Sequence, residues 1–381
     1  MIFLVNIKKQ IIFEKNYKNY KMKFIGPIIF LGLFSTFFFL MQSFIFKRIA
    51  ILYNFNYSFK HTIVIISLII STLIVAIVAH VYWNLIVKML FVFFTTYIGI
   101  VWVLFMMFLV YAFLNLFNVI PQQIWQYIMP IAAIIIIAYS IINASIIKIN
   151  EFKIYSNKIK KTYTFAQISD THLGSVKGKK FFNNILEKID KYNVDALFIT
   201  GDFIDDVGLI DDNLISDIRD KKYDVFYVTG NHETYGNIKH ILNVVKNTQK
   251  INLLYNESVI YKELVINGVE DLGHTRKEKF NKLKDSLVVD KSKYNIFLTH
   301  QPVDFEYYND FYADLQLSGH THNGQIFPFN YFVKLMYKYN RGLYEKDNMK
   351  IIVSVGTGIW GPLMRLGTNN EIIIIKLIPE N

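Results

Sequence analysis

Five short stretches in the second half of the chain concentrate carboxylate, imidazole and amide side chains. They are Ser169-Asp170-Thr171-His172, Gly201-Asp202-Phe203-Ile204-Asp205, Gly230-Asn231-His232-Glu233, Thr299-His300-Gln301-Pro302 and Gly319-His320-Thr321-His322, and they hold five of the nine histidines. These side chains bind hard or borderline divalent cations. Any one of the stretches is ordinary, since Asp-x-His, Gly-Asp and Asn-His pairs are common in turns. All five in order, most of them directly after a short apolar run, place polar groups where strands end and loops begin, the usual address of a site on an α/β scaffold. The implied chemistry is a two-metal centre, in which cations about 3.5–4 Å apart hold a water and lower its pKa to make a nucleophile. The chain has no cysteine, which excludes thiolate metal sites, disulfides and cysteine nucleophiles.

The elements that must position these groups follow from hydrophobic pattern. Apolar runs at 164–168, 196–200 and 225–229 read as strands, and amphipathic segments at 181–192, 209–218 and 238–247 read as helices. The alternation is β-α-β-α-β and predicts a parallel core. Short antiparallel pieces follow near 253–254, 258–260 and 264–268, then strands near 296–299, 315–317, 351–355 and 371–377, which predicts two packed sheets with helices outside.

The first 150 residues have a different character. They contain one acidic residue, Glu14, and eleven lysines and arginines, whereas the remainder is nearly neutral, so the overall charge of +11 belongs to the segment before the motifs. The basic balance therefore reports lysines flanking apolar segments, and no nucleic-acid polymer is expected as partner. Four apolar stretches predict transmembrane spans near 24–46, 63–87, 90–117 and 128–147, with a turn at Asn118-Val119-Ile120-Pro121-Gln122-Gln123. The resulting division is a transmembrane region over 1–148, a polar linker over 149–163 and an α/β domain over 164–381. Lysine and arginine flanks total twelve on one side and three on the other, which predicts both termini and the metal domain in the cytoplasm. Met22-Lys23 offers a second credible start, and the bias keeps its sign without residues 1–21. His80, the sole ionisable group of the second span, reads as interfacial.

Taken in order, the five motifs resemble the calcineurin-like metallophosphoesterase family over roughly residues 164–377. Gly319-His320-Thr321-His322-Asn323-Gly324-Gln325-Ile326-Phe327-Pro328 is similar to the branch of bacterial membrane-associated phosphoesterases. Some members of that branch act on the lipid A precursor UDP-diacylglucosamine. The resemblance implies a four-layer α/β/β/α sandwich and two divalent metal ions drawn from Mn, Fe, Zn or Mg. The mixed nitrogen and oxygen donors favour Mn, Fe or Zn over Mg alone, Mn foremost. It implies Asp170, His172 and His322 as ligands of the first metal, Asn231, His300 and His320 as ligands of the second, and Asp202 bridging both. His232 resembles the family histidine that protonates the leaving group or steadies the transition state, and Asp205 the carboxylate that orients it. Asn323 stands where many relatives carry glycine.

The expected function is that of a membrane-anchored phosphoesterase in the cell membrane of a bacterium. Its substrate would be a phosphoester or pyrophosphate on a lipid or lipid-linked molecule, with membrane lipids as partners. The alternatives are a phosphodiesterase of soluble nucleotides with the spans as anchor, and a membrane sensor or scaffold without catalysis. Residues 327–344 mix aromatics with lysines, and read either as a lid packed on the domain or as a membrane-facing surface. Arg341 and Arg365 could reach a substrate phosphate or lie on the surface. Glu233 reads as structural, His240 and His274 as surface or packing residues, and Asp206, Asp211 and Asp212 as a solvated acidic loop.

Overall fold

The computed structural model describes the chain except residues 1, 119, 206, 236, 272–282, 284–285, 304–307, 309–310 and 381, together with the side chains of residues 2–25, 27 and 28. It divides into two compact units, residues 1–74 with 100–134, and residues 75–99 with 135–381.

The first unit is helical and takes in α1 (Ile2–Tyr53) and parts of α2 (Phe59–Val81), α3 (Leu85–Asn115) and α4 (Gln122–Asn143). Four helices, Ile29–Tyr53, Phe59–Val81, Leu85–Asn115 and Gln122–Asn143, are long and apolar enough to cross a membrane. Uncharged runs of Leu, Ile and Phe satisfy their backbone only as helix when lipid surrounds them. Their outward side chains, among them Phe30, Leu33, Phe37 and Leu40, are exposed. Aromatic edges pack inside the unit, as between Phe44 and Phe105 and between Tyr111 and Trp125. Gln122 and Gln126 donate from their side-chain amides to the carbonyls of Ile51 and Leu52, tying the end of α1 to the start of α4. The break between the second and third helices falls at residues 82–84 rather than at Lys88. Asn84 decides it, because its side-chain oxygen caps the first turn of α3 by accepting from Val87 N at 2.8 Å.

The second unit contains two six-stranded sheets. The first has the order β1 (Ile147–Ser156), β12 (Asn370–Pro379), β2 (Tyr163–Ile168), β3 (Ala196–Thr200), β4 (Asp224–Val228), β5 (Ile251–Leu253). The second has the order β10 (Gly342–Lys346), β11 (Met349–Val353), β9 (Leu315–Ser318), β8 (Tyr294–Leu298), β7 (Leu264–Gly268), β6 (Glu257–Tyr261). Strands β2 to β5 run parallel, as do β7, β8 and β9. The parallel core expected from the alternation of strands and helices is present in the first sheet; of the pieces expected to be antiparallel, β6 and β7 pair so with each other, whereas β5 runs parallel to β4 and β7 parallel to β8.

Side-chain alternation explains the layering. Phe165, Phe198 and Phe226 point inward and meet Ile266, Ile296 and Leu317 of the other sheet. Ala166, Leu197 and Val225 point outward and are covered by α5 (Lys179–Asp190) through Phe182, Ile185 and Ile189 and by α7 (Ile238–Asn247) through Ile241 and Val245. On the far side of the second sheet, Phe297, Ile351 and Val353 pack with Leu287, Tyr308 and Ala313. The architecture of this unit is an α/β sandwich of two mixed sheets, whose strands follow the four apolar helices in sequence.

Three readings from sequence change. Residues 149–163 are not a plain linker: β1 pairs in parallel with β12 along its whole length. Its lysines, spaced among Ile147, Ile149, Phe152 and Ile154, mark an edge strand with charged outward positions. Residues 209–218 are not a helix; a 3-10 turn covers Ser216–Asp220 instead. The Asp211 side chain accepts from the backbone of Asn213 and Leu214, a local alternative to helix. Finally, the hairpin of residues 75–99 belongs with the α/β unit, where Ala79 and Val87 bury against Val207.

Candidate metal centre

The motifs lie at the C-terminal ends of five parallel strands. Asp170 and His172 follow β2, Asp202 and Asp205 follow β3, and Asn231 and His232 open the short helix α6 (Asn231–Tyr235) after β4. His300 follows β8, and His320 and His322 follow β9. Gln167 ties the two sheets beneath the site, donating to Thr200 Oγ1 at 3.1 Å and to the Ser318 carbonyl at 2.9 Å. Asp170, His172, Asp202, His320 and His322 all have φ between 46° and 72°, the left-handed region. Each such residue costs on the order of 1–3 kcal/mol and persists only where its surroundings impose it. Gly319 and Gly230 permit the close approach, since a Cβ on the first would meet Asp170 Oδ2 and on the second Asp202 Oδ1.

The side chains form two adjoining groups. His322 Nε2 lies 3.2 Å from His172 Nε2 and 3.4 Å from Asp170 Oδ1. His300 Nε2 lies 3.0 Å from Asn231 Oδ1, 3.1 Å from Asp202 Oδ2 and 3.1 Å from His320 Nδ1. Asp205 Oδ1 is 3.0 Å from His232 Nδ1 and 3.3 Å from His172 Nδ1, while Ser175 Oγ donates to Asp205 Oδ2 at 2.6 Å. Asp170, His172, Asp202, His300 and Asp205 are buried.

The donor chemistry fits divalent cations. His300 donates from Nδ1 to the Thr200 carbonyl at 2.9 Å, which leaves its Nε2 lone pair facing the oxygens of Asn231 and Asp202. His172 likewise engages Nδ1 with Asp205 and turns Nε2 towards His322 and Asp170. Acceptors that converge in this way repel one another unless a cation stands among them. Without a metal, a proton takes that role. Burial alone would lower His300, but the Asp202 carboxylate beside it, with Asp170 and Asp271, pushes it up to about 10. Burial would raise Asp202, and the positive charge of His300 and its hydrogen bond outweigh that and hold it far below the usual carboxylate range. Asp170 is raised, chiefly by burial. Burial, then the charges of Arg365 and His172, hold His322 well below the usual imidazole value.

Residues 163–324 match the family described as Calcineurin-like phosphoesterase. An uncharacterized metallophosphoesterase of Campylobacter jejuni is 34% identical over 269 residues, covering 68% of this chain and 71% of that protein. The chain belongs to the calcineurin-like metallophosphoesterase family. An uncharacterized metallophosphoesterase of Helicobacter pylori is 36% identical over 240 residues, 61% of this chain, and the match spans 65% of that relative's length. A more distant relative, the UDP-2,3-diacylglucosamine pyrophosphatase LpxG of Chlamydia muridarum, is 25% identical over 276 residues, 56% of this chain and 83% of that protein.

All nine residues singled out from sequence converge in this metallophosphoesterase, and several others support them. Glu233 is fully buried and accepts from the backbone N–H of Gly230, Asp202, Phe203 and Ile204, so it fastens two ligand loops together. Tyr337 places its hydroxyl 2.9 Å from His320 Nε2. Trp360 presents its ring 5.8 Å from that of His232. Arg365 is neither on the surface nor at an open phosphate position. It is fully buried, donates to the carbonyls of Val355 at 2.8 Å and Gly358 at 2.7 Å, and stands 3.2 Å behind His322 Nδ1. Burial brings its pKa down to about 10. Arg341 is exposed.

Among the remaining residues, Asn323 adopts φ 46° and its side-chain oxygen accepts from Asn340, so the amide side chain replaces what glycine would allow by flexibility alone. His240 Nε2 bonds the Ile210 carbonyl and His80 Nδ1 the Ala76 carbonyl. Asp212 accepts from Asn247. His274 and Asp206 lie outside the described residues. No sequence signal distinguished Tyr337, Trp360 or Arg365 from ordinary aromatic and basic residues.

Proposed function

We propose that this chain is a membrane-held, binuclear metal-dependent phosphoesterase acting on a phosphoester or pyrophosphate of a lipid or lipid-linked substrate. The observation that carries the catalytic part is the convergence of seven donor side chains with their lone pairs facing one another. In this reading Asp170, His172 and His322 hold one cation, Asn231, His300 and His320 the other, and Asp202 serves both. Two divalent ions there, Mn foremost, supply Lewis-acid neutralisation of phosphate charge and activation of water. His232, held through Nδ1 by Asp205, delivers a proton from Nε2 to the leaving oxygen, and Asp205 stabilises the charge on the ring. The backbone N–H of His232 donates to Asp202 Oδ1 at 2.9 Å, which fixes the acid relative to the shared ligand.

The lipid part is supported by the four apolar helices and by the distant relative named as a pyrophosphatase of a diacylated nucleotide sugar. Tethering raises the local concentration of membrane-borne substrates. The cytoplasmic side of a bacterial cell membrane is favoured by the lysine and arginine bias. The α2–α3 connection falls in the same compact unit as the metal domain, as four antiparallel spans require in either orientation.

The test uses the full chain in detergent, stripped of metal and resupplied with Mn²⁺, on bis(p-nitrophenyl) phosphate. Turnover that requires metal and collapses in His232→Ala at unchanged metal content supports the reading; metal binding without turnover would favour a scaffold. Comparing detergent-dispersed lipid pyrophosphates with cyclic and dinucleotides then separates the lipid reading from a soluble-nucleotide one.

A further inference from the structure

The helix α8 (Phe329–Met336) has no buried residue. Leu335 is 86% and Met336 75% exposed, and Tyr331 and Phe332 are exposed beside them. Phe332, Leu335 and Met336 share one face by their spacing of three and four, while Lys334 projects to another. Trp360 is 56% exposed, and its backbone is held near the start of the helix, where Gln325 bonds both its carbonyl and its N–H. A patch of this kind in water would be an association liability.

Its depth relative to a bilayer can be read from α4. That helix has 22 residues, about 33 Å at 1.5 Å per residue, close to the roughly 30 Å of a hydrocarbon core. Its last turn therefore marks a membrane boundary, and it is bonded to the catalytic unit there. The Ser140 carbonyl accepts from Arg365 N at 2.9 Å, and the Asn143 amide donates to the carbonyls of Arg365 at 3.0 Å and Thr368 at 2.8 Å. The same loop touches α3: Leu363 N donates to Thr96 Oγ1, and a Cβ on Gly99 would stand 2.8 Å from Met364 Sδ and 3.3 Å from Ile326 Cδ1. Ile326 bridges to Leu366, and Phe327 N donates to the Leu366 carbonyl at 2.8 Å. The chain from Ile326 to Phe329 is three residues, at most about 10 Å. The start of α8 is thus tied through this loop to the last turn of α4.

We propose that the apolar face of α8, with Trp360, seats in the headgroup–acyl boundary of the same bilayer that the four helices cross. Aromatic side chains with flanking lysines are the composition such a boundary accepts. Tyr337, directly after α8, bonds His320, and Trp360 stands against His232, so the seated surface adjoins one metal ligand and the proposed acid. The inference rests on the membrane helices and stands or falls apart from turnover.

The cysteine-free chain makes a direct test available. Leu335→Cys, and separately Met336→Cys, is labelled with an environment-sensitive nitrobenzoxadiazole and placed in phosphatidylethanolamine–phosphatidylglycerol vesicles, with Lys334→Cys as the polar-side control. Seating about 5–10 Å deep predicts blue-shifted emission at 335 and 336, quenched on the order of twofold by lipids carrying a nitroxide near the headgroup, and weaker quenching at 334. Water-like emission without quenching at both apolar positions would overturn the proposal. So would blue-shifted but unquenched emission, which would mean that protein covers the face, a second copy if the shift fades on dilution of protein in lipid.

Discussion

Replacing Asp205 by asparagine tests the coupling between the proposed acid and the metal shell most directly. Asp205 serves three partners at once: His232 Nδ1 at 3.0 Å, His172 Nδ1 at 3.3 Å and Ser175 Oγ at 2.6 Å. Burial alone would raise its pKa, but the charges and hydrogen bonds of His172 and then His232 hold it well below the usual carboxylate range, so it is ionised at working pH. Asparagine keeps the shape. Its oxygen can remain on the two histidines and its amide can turn to Ser175, which accepts as well as donates. What is lost is the charge. Bonds to ionised groups contribute about 1.5–3 kcal/mol and neutral ones about 0.5–1.5 kcal/mol, so the two imidazole contacts together lose about 2–3 kcal/mol. Spread between His232 and His172, that corresponds to a fall of roughly 10- to 100-fold in kcat. The assay is hydrolysis of bis(p-nitrophenyl) phosphate at saturating Mn²⁺ with metal content measured on the same sample. A loss that excess Mn²⁺ restores would act through His172; a loss that persists at full metal occupancy would act through His232. A kcat within about twofold of wild type, with fold and metal content intact, would refute the orienting role.

Four further outcomes follow from the same geometry. Glu233→Ala removes the acceptor of four buried N–H groups at about 1–3 kcal/mol each, so the melting midpoint should fall by several degrees or folding should fail, as scanning fluorimetry would show. Arg365→Met should weaken metal retention about 10- to 100-fold by releasing His322, measured by metal-buffer titration, while an unchanged affinity would confine Arg365 to fold stability. In metal-free protein the folded carboxyl of Asp205 lies below its unfolded value of about 3.9, so its contribution is present above that pH and is lost as pH falls through the lower folded value. The stability gap between wild type and Asp205→Asn should therefore narrow from pH 6 to pH 3 in denaturation curves. Mn²⁺ at about one hundred times its Kd should stabilise the full chain by about 2.7 kcal/mol, and His300→Ala should lose much of that shift.

The ligand set was legible because chemistry and topology coincide in it. Asp170, Asp202, Asn231, His300 and His320 each follow a strand by one to three residues, so the apolar runs announced where their side chains would be delivered. What encloses them was not legible, for reasons that differ from residue to residue. Arg365 reads as one basic residue in a loop, and only the packing shows a guanidinium held by two carbonyls behind His322. Glu233 is one residue from His232, yet its work is to bond the loop after β3, a pairing that no local pattern encodes. Lys153, in the lysine-rich run 149–163, made most of β1 look like a tether, because an edge strand and a solvated linker share a composition. The hairpin of residues 75–99 was hidden most deeply, since its apolar residues satisfy the composition of a span whether they meet lipid or Val207. That ambiguity bears on catalysis. Val207 lies two residues from Asp205, and Leu363 and Arg365 lie in the loop bonded to Thr96 and Ser140. The loop that carries Arg365 behind His322 is therefore bonded to α3 and the end of α4, so the surroundings of the metal centre include residues that composition assigns to the spans.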